Sequence, residues 1–414
     1  MSPPLRARLG VALRLVLAAA LLWWASGLFW PTLSTEHGSS DRARALGCLE
    51  AQIEAGAPER MQLLFPEGYL FTVLPTALAE VEQGLASPEG SAERAHALAV
   101  AKGALVKLEG EDGTGPFNAE LDPPYGVFYR GWLAWLKVRI LALDLQNEAL
   151  AASLERDGDA ITRALARSPS PYLEAYTGMA WPCDTVVAVA ALAAYDRART
   201  PRYAAARARW LEAVRPTLDA STGLFPHQVE PRTGQGRDGP RGTSSALILH
   251  FLPEIDAKLA ADQYGHFHET FVVTRLGLPG VRERADARDP WLPLVEAGDI
   301  DSGPLLTGLS LSASAVAIGA AARNGDLELA QGFARAAELA GLRGGITQKR
   351  TLGGLMPVAD ALLVWAEAAP VVDARPYPTR LLFGGRLPAL VFTLIGLGAL
   401  LAPLFRATVG RGRA

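Results

Sequence analysis

Apolar residues recur at three- and four-residue spacing along most of the chain, which is the pattern of amphipathic helices. Each periodic segment is bounded by Gly, Pro, Asp or Ser, residues that favour helix ends and turns. Alternation with a period of two, which marks a half-buried strand, is nearly absent. The pattern predicts about twelve helices, near residues 41–54, 69–85, 92–108, 126–145, 149–166, 182–197, 201–218, 243–251, 257–271, 305–323, 327–342 and 355–368.

Twelve helices joined by mostly short loops are the number that an (α/α)6 toroid needs, in which six hairpins build an inner and an outer ring. A helical bundle or an open solenoid would also use paired helices, but a solenoid shows a repeat at a fixed period and none is visible. Several segments, such as "SASAVAIGAAA" at 312–322, consist of small residues that permit close helix packing. We therefore predict an all-α fold, an (α/α)6 toroid of about twelve helices at residues 41–370.

Both ends of the chain carry a long apolar run. The first covers residues 15–30 and follows Arg6, Arg8 and Arg14; the second covers 387–405 and precedes another group of arginines. Because about 20 apolar residues in one helix can cross a bilayer, we predict a transmembrane helix at each end. The N-terminal anchor and linker would be residues 1–40, and a linker, the second span and a basic tail would be residues 371–414.

The charges beside these runs predict an orientation. Arginines precede the first run and follow the second, which places both termini in the cytoplasm and the main domain outside it. Arginines at 375, 380 and 386 weaken this bias on the outer side of the second run. A cleaved signal peptide is the alternative for the first run, although its tryptophans at 23, 24 and 30 replace the small residues of a cleavage site. The predicted location is a bacterial-type inner (plasma) membrane, multi-pass, with the main domain extracytoplasmic and the lipid bilayer as a partner.

Composition narrows the function classes. The chain has 414 residues, 50% of them hydrophobic, and a net charge of -3, which gives no electrostatic reason to bind nucleic acid. Two cysteines, Cys48 and Cys183, are too few for a disulfide framework, and whether they pair stays open. No protein partner is indicated. The expected ligand is a small molecule or a carbohydrate.

Two loops are longer than the usual connections of a helical domain, at residues 221–244 and 277–304. The second contains "GDIDSGP", with Asp299 and Asp301 one residue apart. Paired carboxylates can divide into a general acid and a general base when their surroundings separate their pKa values. Adjacent acids on one loop are badly placed to flank a bond, so we expect Asp299 to face a pocket and Asp301 to cap the helix predicted after it.

A second group of candidates opens the helix predicted at residue 182. In "MAWPCDTVV", Trp181 and a proline precede Cys183 and Asp184. The positive end of a helix lowers the pKa of a cysteine, so Cys183 is a candidate nucleophile or acid/base group and Asp184 a candidate carboxylate. A buried cysteine that acts only as a small hydrophobic residue is the alternative.

Aromatic residues suggest a lining for a ligand. Tyr125, Tyr129 and Trp132 follow one another at spacings of four and three, which places them on one stripe of a helix. The stripe could line a pocket for a sugar or a hydrocarbon, or it could be core. Glu67, just before another predicted helix, is a possible site acid or merely a charge at a helix start.

The six histidines form no metal-binding motif, because no His-Glu-x-x-His or Cys-x-x-Cys pattern is present. His227 lies in the first long loop with Arg241 and other charged residues, where it could act as a general base near neutral pH. Arg241 is a candidate for binding a substrate. We predict no metal and no cofactor.

Four segments, in this order, resemble the bacterial α/α-toroid proteins grouped with linalool dehydratase/isomerase: "WPCDTVVAVAALAAYDR", "STGLFPHQVEP", "ALILHFLPEID" and "GDIDSGPLLTGLSLSASAVAIGAA". The resemblance implies an (α/α)6 barrel in which cysteine, aspartate, histidine and tyrosine residues act on an allylic alcohol without a metal. The Pro-Cys-Asp start at Cys183 and Asp184 is the strongest local match. The family's second cysteine on this segment has no counterpart here.

These residues support three hypotheses for an externally facing, membrane-anchored protein. The first is a metal-independent acid/base enzyme, a lyase, isomerase or hydrolase similar to linalool dehydratase/isomerase. The second is an inverting glycoside hydrolase of envelope carbohydrate, which needs two carboxyl groups roughly 6.5–9.5 Å apart. The third is a non-catalytic envelope binding or scaffold protein. Convergence of the candidate residues around one pocket separates the enzymes from the scaffold.

Overall fold

The computed structural model describes residues 3–27, 36–275, 278–286, 295–298, 302–303, 305–339, 354–372 and 386–411. These residues are mostly helical (68%) and contain sixteen α-helices. The helices are α1 (Pro3–Gly27), α2 (Glu36–Glu54), α3 (Ala57–Gln62), α4 (Gly68–Ala86), α5 (Ala92–Glu109), α6 (Glu111–Thr114), α7 (Gly126–Leu143), α8 (Glu148–Arg167), α9 (Pro182–Ala198), α10 (Ala204–Val214), α11 (Gly242–Ile255), α12 (Ala257–Phe271), α13 (Leu311–Arg323), α14 (Leu327–Leu339), α15 (Pro357–Ala368) and α16 (Arg386–Arg411).

The chain also forms two small antiparallel sheets, so the all-α prediction is wrong. One pairs β1 (Gln228–Val229) with β2 (Gly236–Asp238). The other contains β3 (Val272–Arg275), β4 (Leu278–Arg282), β5 (Val295–Glu296), β6 (Leu305–Leu306) and β7 (Leu309–Ser310), in the order β3-β4-β7-β6-β5. The strands are two to five residues long, too short for alternation to reveal them. The predicted helix count is also too low, because α3 and α6 are only six and four residues long.

Six helices contact one another in a closed cycle. In order around the ring, α4 contacts α7, α7 contacts α9, α9 contacts α11, α11 contacts α13, α13 contacts α15, and α15 returns to α4. These helices are unusually buried; in α9 every residue from 182 to 196 is buried. A helix that is apolar on nearly all sides belongs inside a fold. The six form the inner ring.

A second helix covers each member of the inner ring on its outer side. The pairs are α5 on α4, α8 on α7, α10 on α9, α12 on α11, α14 on α13, and α2 on α15. Three of these outer helices begin with a capping side chain: Ser91 for α5, Asn147 for α8 and Asp256 for α12. Each accepts a hydrogen bond from a backbone N–H of the first turn, which satisfies a group that the helix itself leaves unpaired.

Ion pairs show that neighbouring inner helices run in the same direction. Glu82 in the last turn of α4 binds Arg139 in the last turns of α7. Glu254 at the end of α11 binds both Arg197 at the end of α9 and Arg323 at the end of α13. Glu82 and Arg139 also act electrostatically on the buried Arg323, so the carboxyl-terminal ends of these five inner helices lie together at one end of the ring.

The packing around one glycine shows that α15 runs parallel to the other inner helices. Gly319, in the second half of α13, lies so close to α11 and α15 that an added Cβ would be 2.6 Å from His250 and 3.1 Å from the carbonyl oxygen of Ala366. Ala366 is likewise in the second half of α15. All six inner helices consequently begin at the same end of the ring, which we call the rim.

The prediction of two membrane spans is wrong for the part of the chain that the structure describes, where no helix combines the length and the apolar character that crossing a bilayer requires. The apolar runs belong to longer helices: α1 starts at Pro3 and α16 at Arg386, so both include arginines that the prediction had placed beside a span. Charged residues within a span are costly. The lipid bilayer as a partner, the multi-pass location in an inner membrane and the extracytoplasmic main domain rested on those spans and are withdrawn.

Candidate functional site

Four residues singled out in the sequence stand immediately before inner helices. Glu67 precedes α4, Tyr125 precedes α7, Trp181 precedes α9 and Arg241 precedes α11. Since the inner helices are parallel, all four positions are at the rim. The sequence predicts Glu67 and Trp181 at helix starts, Tyr125 on a helical stripe and Arg241 in a long loop, and the ring brings all four positions to one end of the molecule.

Cys183 and Asp184 occupy the first turn of α9, also at the rim. The Cys183 thiol donates a hydrogen bond to Asp184, with Sγ and Oδ1 3.6 Å apart. Both side chains are buried, and amide groups at the start of a helix favour a thiolate or a carboxylate. Cys183 forms no disulfide with Cys48, which answers the question of their pairing. The pair can hold and exchange a proton away from bulk water.

Tyr176 lies in the segment that precedes α9 and connects it with the start of α4. Its hydroxyl donates a short hydrogen bond to the Glu67 carboxylate, and its ring meets Trp181 edge to face at 6.0 Å. A close approach positions this segment: the backbone N–H of Val127, in the first turn of α7, donates to the carbonyl of Glu174 over 2.9 Å. Sequence reasoning missed Tyr176, since a single tyrosine in a loop has no periodic pattern to mark it.

His227 lies beside the starts of α9 and α11. Its Nδ1 is 2.9 Å from the hydroxyl oxygen of Ser244 in the first turn of α11, and the imidazole is buried, with 6% of the residue exposed. Two residues further along, Val229 donates its backbone N–H to the carbonyl of Ala180 over 3.0 Å. The histidine is thus tied to the same end of the ring as Cys183, and its partner Ser244 was not identified from the sequence.

Arg241 is held by its own loop. Its guanidinium binds Asp238 through two nitrogens, at 2.8 and 2.5 Å. The neighbouring Thr243 donates to Glu283, with Oγ1 and Oε2 2.7 Å apart, and Glu283 is buried with 3% exposed. The sequence did not single out this acid, because Glu283 follows β4 and reaches α11 only through the fold.

Asp299 and Asp301 lie outside the described residues. The adjacent Ser302 is described and buried, and its carbonyl accepts a hydrogen bond from the hydroxyl of Ser310 over 3.1 Å. Ser310 also caps α13 by accepting from the N–H of Ala313. The helix therefore begins six residues later than predicted and is capped by Ser310; the capping role expected of Asp301 falls outside the described residues and stays a prediction.

The predicted aromatic stripe of α7 divides in two. The Tyr129 hydroxyl donates to the carbonyl of Leu108 at the end of α5, over 2.9 Å, and Arg130 lies over both Tyr125 and Tyr129. Burial raises the pKa of Tyr129, so this phenol stays protonated and serves as a hydrogen-bond donor within the fold. Trp132, in contrast, packs against aromatic residues of α4, α11 and α15.

Below the rim, aromatic side chains fill the middle of the ring. Trp132 meets Phe71 of α4, Phe251 of α11 and Trp365 of α15 edge to face or at steep angles, with ring centroids 6.3, 5.2 and 5.7 Å apart. His250 stacks on Trp365 at 4.2 Å. Burial lowers the pKa of His250 well below its usual range, so the imidazole is neutral. We call these five residues the aromatic floor.

The rim and the aromatic floor together offer proton-transferring groups above an apolar surface. Cys183, Asp184, His227 and the Tyr176–Glu67 pair supply thiol, carboxyl, imidazole and phenol groups, which are the usual acids and bases of enzymes. Comparison with known protein families and with curated proteins finds no match.

Proposed function

We propose that this protein is an acid/base enzyme, a lyase or isomerase, acting on a small and largely apolar alcohol. The observation that carries the proposal is the buried Cys183–Asp184 pair at the N-terminus of α9, with Sγ and Oδ1 3.6 Å apart. Buried titratable groups in contact at a helix N-terminus are a common arrangement in active sites. The resemblance of the sequence to proteins grouped with linalool dehydratase/isomerase points to the same class of reaction.

Transfer of one proton within the pair would prepare it for dehydration. The thiol gives its proton to the carboxylate, leaving a thiolate stabilised by the amides of α9 and a neutral Asp184. Asp184 then protonates the hydroxyl of the substrate, the C–O bond breaks and water leaves. Cys183 removes a proton from the adjacent carbon as the double bond forms. The cycle ends with a thiol and a carboxylate, as it began.

Other rim residues would orient the alcohol. His227 is fixed through Ser244, and an imidazole can accept or donate a proton near neutral pH. Tyr176 and Glu67 share a hydrogen bond on the neighbouring side. Phe71, the partly exposed member of the aromatic floor, would contact a hydrocarbon chain, because its ring offers carbon surface without charge. Such a surface favours an alkenyl chain over the many hydroxyl groups of a sugar.

Incubating the full-length protein with linalool under argon and following products by gas chromatography tests the proposal. We expect formation of a diene by loss of water or of an isomeric alcohol. Cys183→Ser and Asp184→Asn should each lower the rate by at least about 100-fold, the usual contribution of a general acid or base. Cys48→Ser, which changes the other buried cysteine on the outer helix α2, is the matched control and should keep the full rate.

If Cys183→Ser and Asp184→Asn both keep the wild-type turnover, these two residues take no part in the mechanism. Absence of turnover on a panel of short allylic alcohols, with the protein folded by circular dichroism, would reject the lyase or isomerase assignment. Release of sugars from a polysaccharide with inverted configuration would replace it with the glycoside hydrolase. Tight binding of an alcohol without turnover would replace it with a binding protein.

A further inference from the structure

Three helices bring together two glutamates and a histidine on the side of the ring where α2 and α5 contact it. Glu50 comes from α2, Glu80 from α4 and His96 from α5. One potential ligand atom from each residue lies within 4.8 Å of the other two. The residues are far apart in the sequence and have no motif spacing, so only the fold could reveal the cluster.

Glu80 is the unusual member of the group. It is 2% exposed on the inner-ring helix α4, where a carboxylate needs compensation for its lost hydration. Its hydrogen-bonding neighbour is Glu50, another carboxyl group. Two facing carboxyl groups repel each other when both are ionised, and a shared proton or a cation between them removes that repulsion.

The spacing of the ligand atoms suits a cation. Nε2 of His96 is 3.2 Å from each carboxylate oxygen of Glu50. Ligands about 2.0–2.1 Å from a tetrahedral metal ion are separated by roughly 3.3 Å, so this edge of a coordination shell is already formed. His96 is exposed, with 56% of its side chain accessible, whereas Glu80 is enclosed. An ion could enter from the solvent side and keep water on its open positions.

We propose that Glu50, Glu80 and His96 form a binding site for a divalent transition-metal ion, with Zn²⁺ as the ion that fits the set best. One imidazole and two carboxylates are ligands that zinc accepts, whereas Ca²⁺ and Mg²⁺ prefer oxygen ligands alone. The charge of the ion would neutralise the buried carboxylate and its neighbour together. The ion would also connect α2 to the α4–α5 hairpin.

The proposed metal site is separate from the rim. Glu80 follows the first residue of α4 by twelve positions, which is about 18 Å along the helix. The site therefore does not depend on the proposed catalytic activity. Its consequence is structural, because the bound ion would hold α2 against the α4–α5 hairpin.

Isothermal titration of the chelator-treated full-length protein with ZnCl2 at pH 7.5 tests the site. We expect one ion per chain with a dissociation constant in the micromolar range or tighter. His96→Ala and Glu80→Gln should each weaken binding by at least 10-fold. His266→Ala is the control, since His266 is an exposed histidine on α12 and its loss should leave the affinity unchanged.

His96 is exposed, so His96→Ala should fold normally, and circular dichroism checks each variant. No heat of binding to the wild-type protein overturns the proposal. Equal affinity in wild type, His96→Ala and Glu80→Gln overturns it as well, because the ion would then bind elsewhere. The same titration with MgCl2 should give at least 100-fold weaker binding, and a preference for Mg²⁺ would contradict the histidine ligand.

Discussion

His250 gives the fold a pH dependence that can be assigned to one side chain. It is fully enclosed between α11, α13 and α15, and burial keeps its pKa well below 6.5, with Arg323 and Arg139 adding to the effect. Near pH 6.5 the His250 imidazole binds a proton in the unfolded chain but stays neutral in the folded protein. The stability from this residue is therefore complete above pH 6.5 and is lost as the pH falls below it.

We expect the free energy of unfolding to fall as the pH is lowered below 6.5, by at most about 1.4 kcal/mol per pH unit through this group. His250→Phe keeps an aromatic ring and removes the titration, so its slope should be smaller than that of the wild type. Urea unfolding at three pH values measures both slopes. Identical slopes in wild type and His250→Phe would show that the folded protein takes up the proton as readily as the unfolded chain.

Gly126 is a residue that no other amino acid can replace without strain. Its φ is +79° and an added Cβ would lie 2.3 Å from the carbonyl oxygen of Ala175. We expect Gly126→Ala to lower the free energy of unfolding by about 2 kcal/mol or more, since both the backbone and the packing oppose it. The change should also reduce turnover at the rim, because the displaced segment carries Tyr176.

Gly103 provides the comparison for that variant. It is exposed in the middle of α5, and an added Cβ would meet nothing within 4 Å. Gly103→Ala should raise the free energy of unfolding by about 0.5–1 kcal/mol through helix propensity. Thermal unfolding shows whether each variant raises or lowers the stability. A gain in stability in Gly126→Ala would contradict the close approach of Gly126 to Ala175.

At the level of single residues, the sequence identified those candidates that stand at helix starts. Cys183 and Asp184 follow a proline that opens a helix, so their location in its first turn could be inferred. Tyr176 and Glu283 could not, because each acquires its importance from a partner over a hundred or forty positions away. Distant partners leave no local pattern in a single sequence.

At the level of elements, Glu254 joins three inner helices by their ends. It binds Arg197 of α9 and Arg323 of α13 from the last turn of α11. Arg323 is buried, and burial lowers its pKa to about 10. Glu254→Gln would leave a buried guanidinium without its carboxylate, and we expect a loss of about 3 kcal/mol in the free energy of unfolding.

The exposed pair of Glu230 and Arg237 is a fair control, with 33% and 44% of their side chains accessible. Glu230→Gln should change stability by less than about 1 kcal/mol, because solvent screens an exposed ion pair. Denaturant unfolding compares the two variants at one pH. Equal losses would mean that the Glu254 cluster contributes no more than a surface pair.

Helices were predicted well from their periodicity and strands were not. The predicted helix at 182–197 differs from α9 by one residue, and the one at 257–271 coincides with α12. The segment from residue 305 was assigned to a helix, but it forms the β6–β7 hairpin around Thr307 and Gly308, both with positive φ. A Thr-Gly turn between pairs of apolar residues resembles the start of a helix in composition, and only the turn geometry distinguishes them.

On the scale of the whole molecule, Trp365 closes the ring. It lies on α15 and contacts Trp132 of α7 and Phe251 of α11 across the aromatic floor. We expect Trp365→Ala to lower the free energy of unfolding by about 3–5 kcal/mol, the usual effect of removing a large buried aromatic ring. Calorimetry should show a lower transition temperature.

Leu355 is the control for Trp365, since it stands just before α15 and is 76% exposed. Leu355→Ala should leave the transition within about 0.5 kcal/mol of wild type. A Trp365→Ala protein as stable as Leu355→Ala would show that the middle of the ring is loosely packed. Most of the longer helices could be inferred from the sequence, but the helix that completes the cycle could not, because α15 has no local feature that distinguishes it from its neighbours.

The closure of the ring by α15 also affects how the protein is made. The surfaces of α2 and α4 that α15 covers leave the ribosome long before their partner, because α4 ends at Ala86 and α15 begins at Pro357. At about 5–20 residues per second, those apolar surfaces wait on the order of tens of seconds for their partner. During that interval the uncovered apolar surface favours aggregation of the nascent chain.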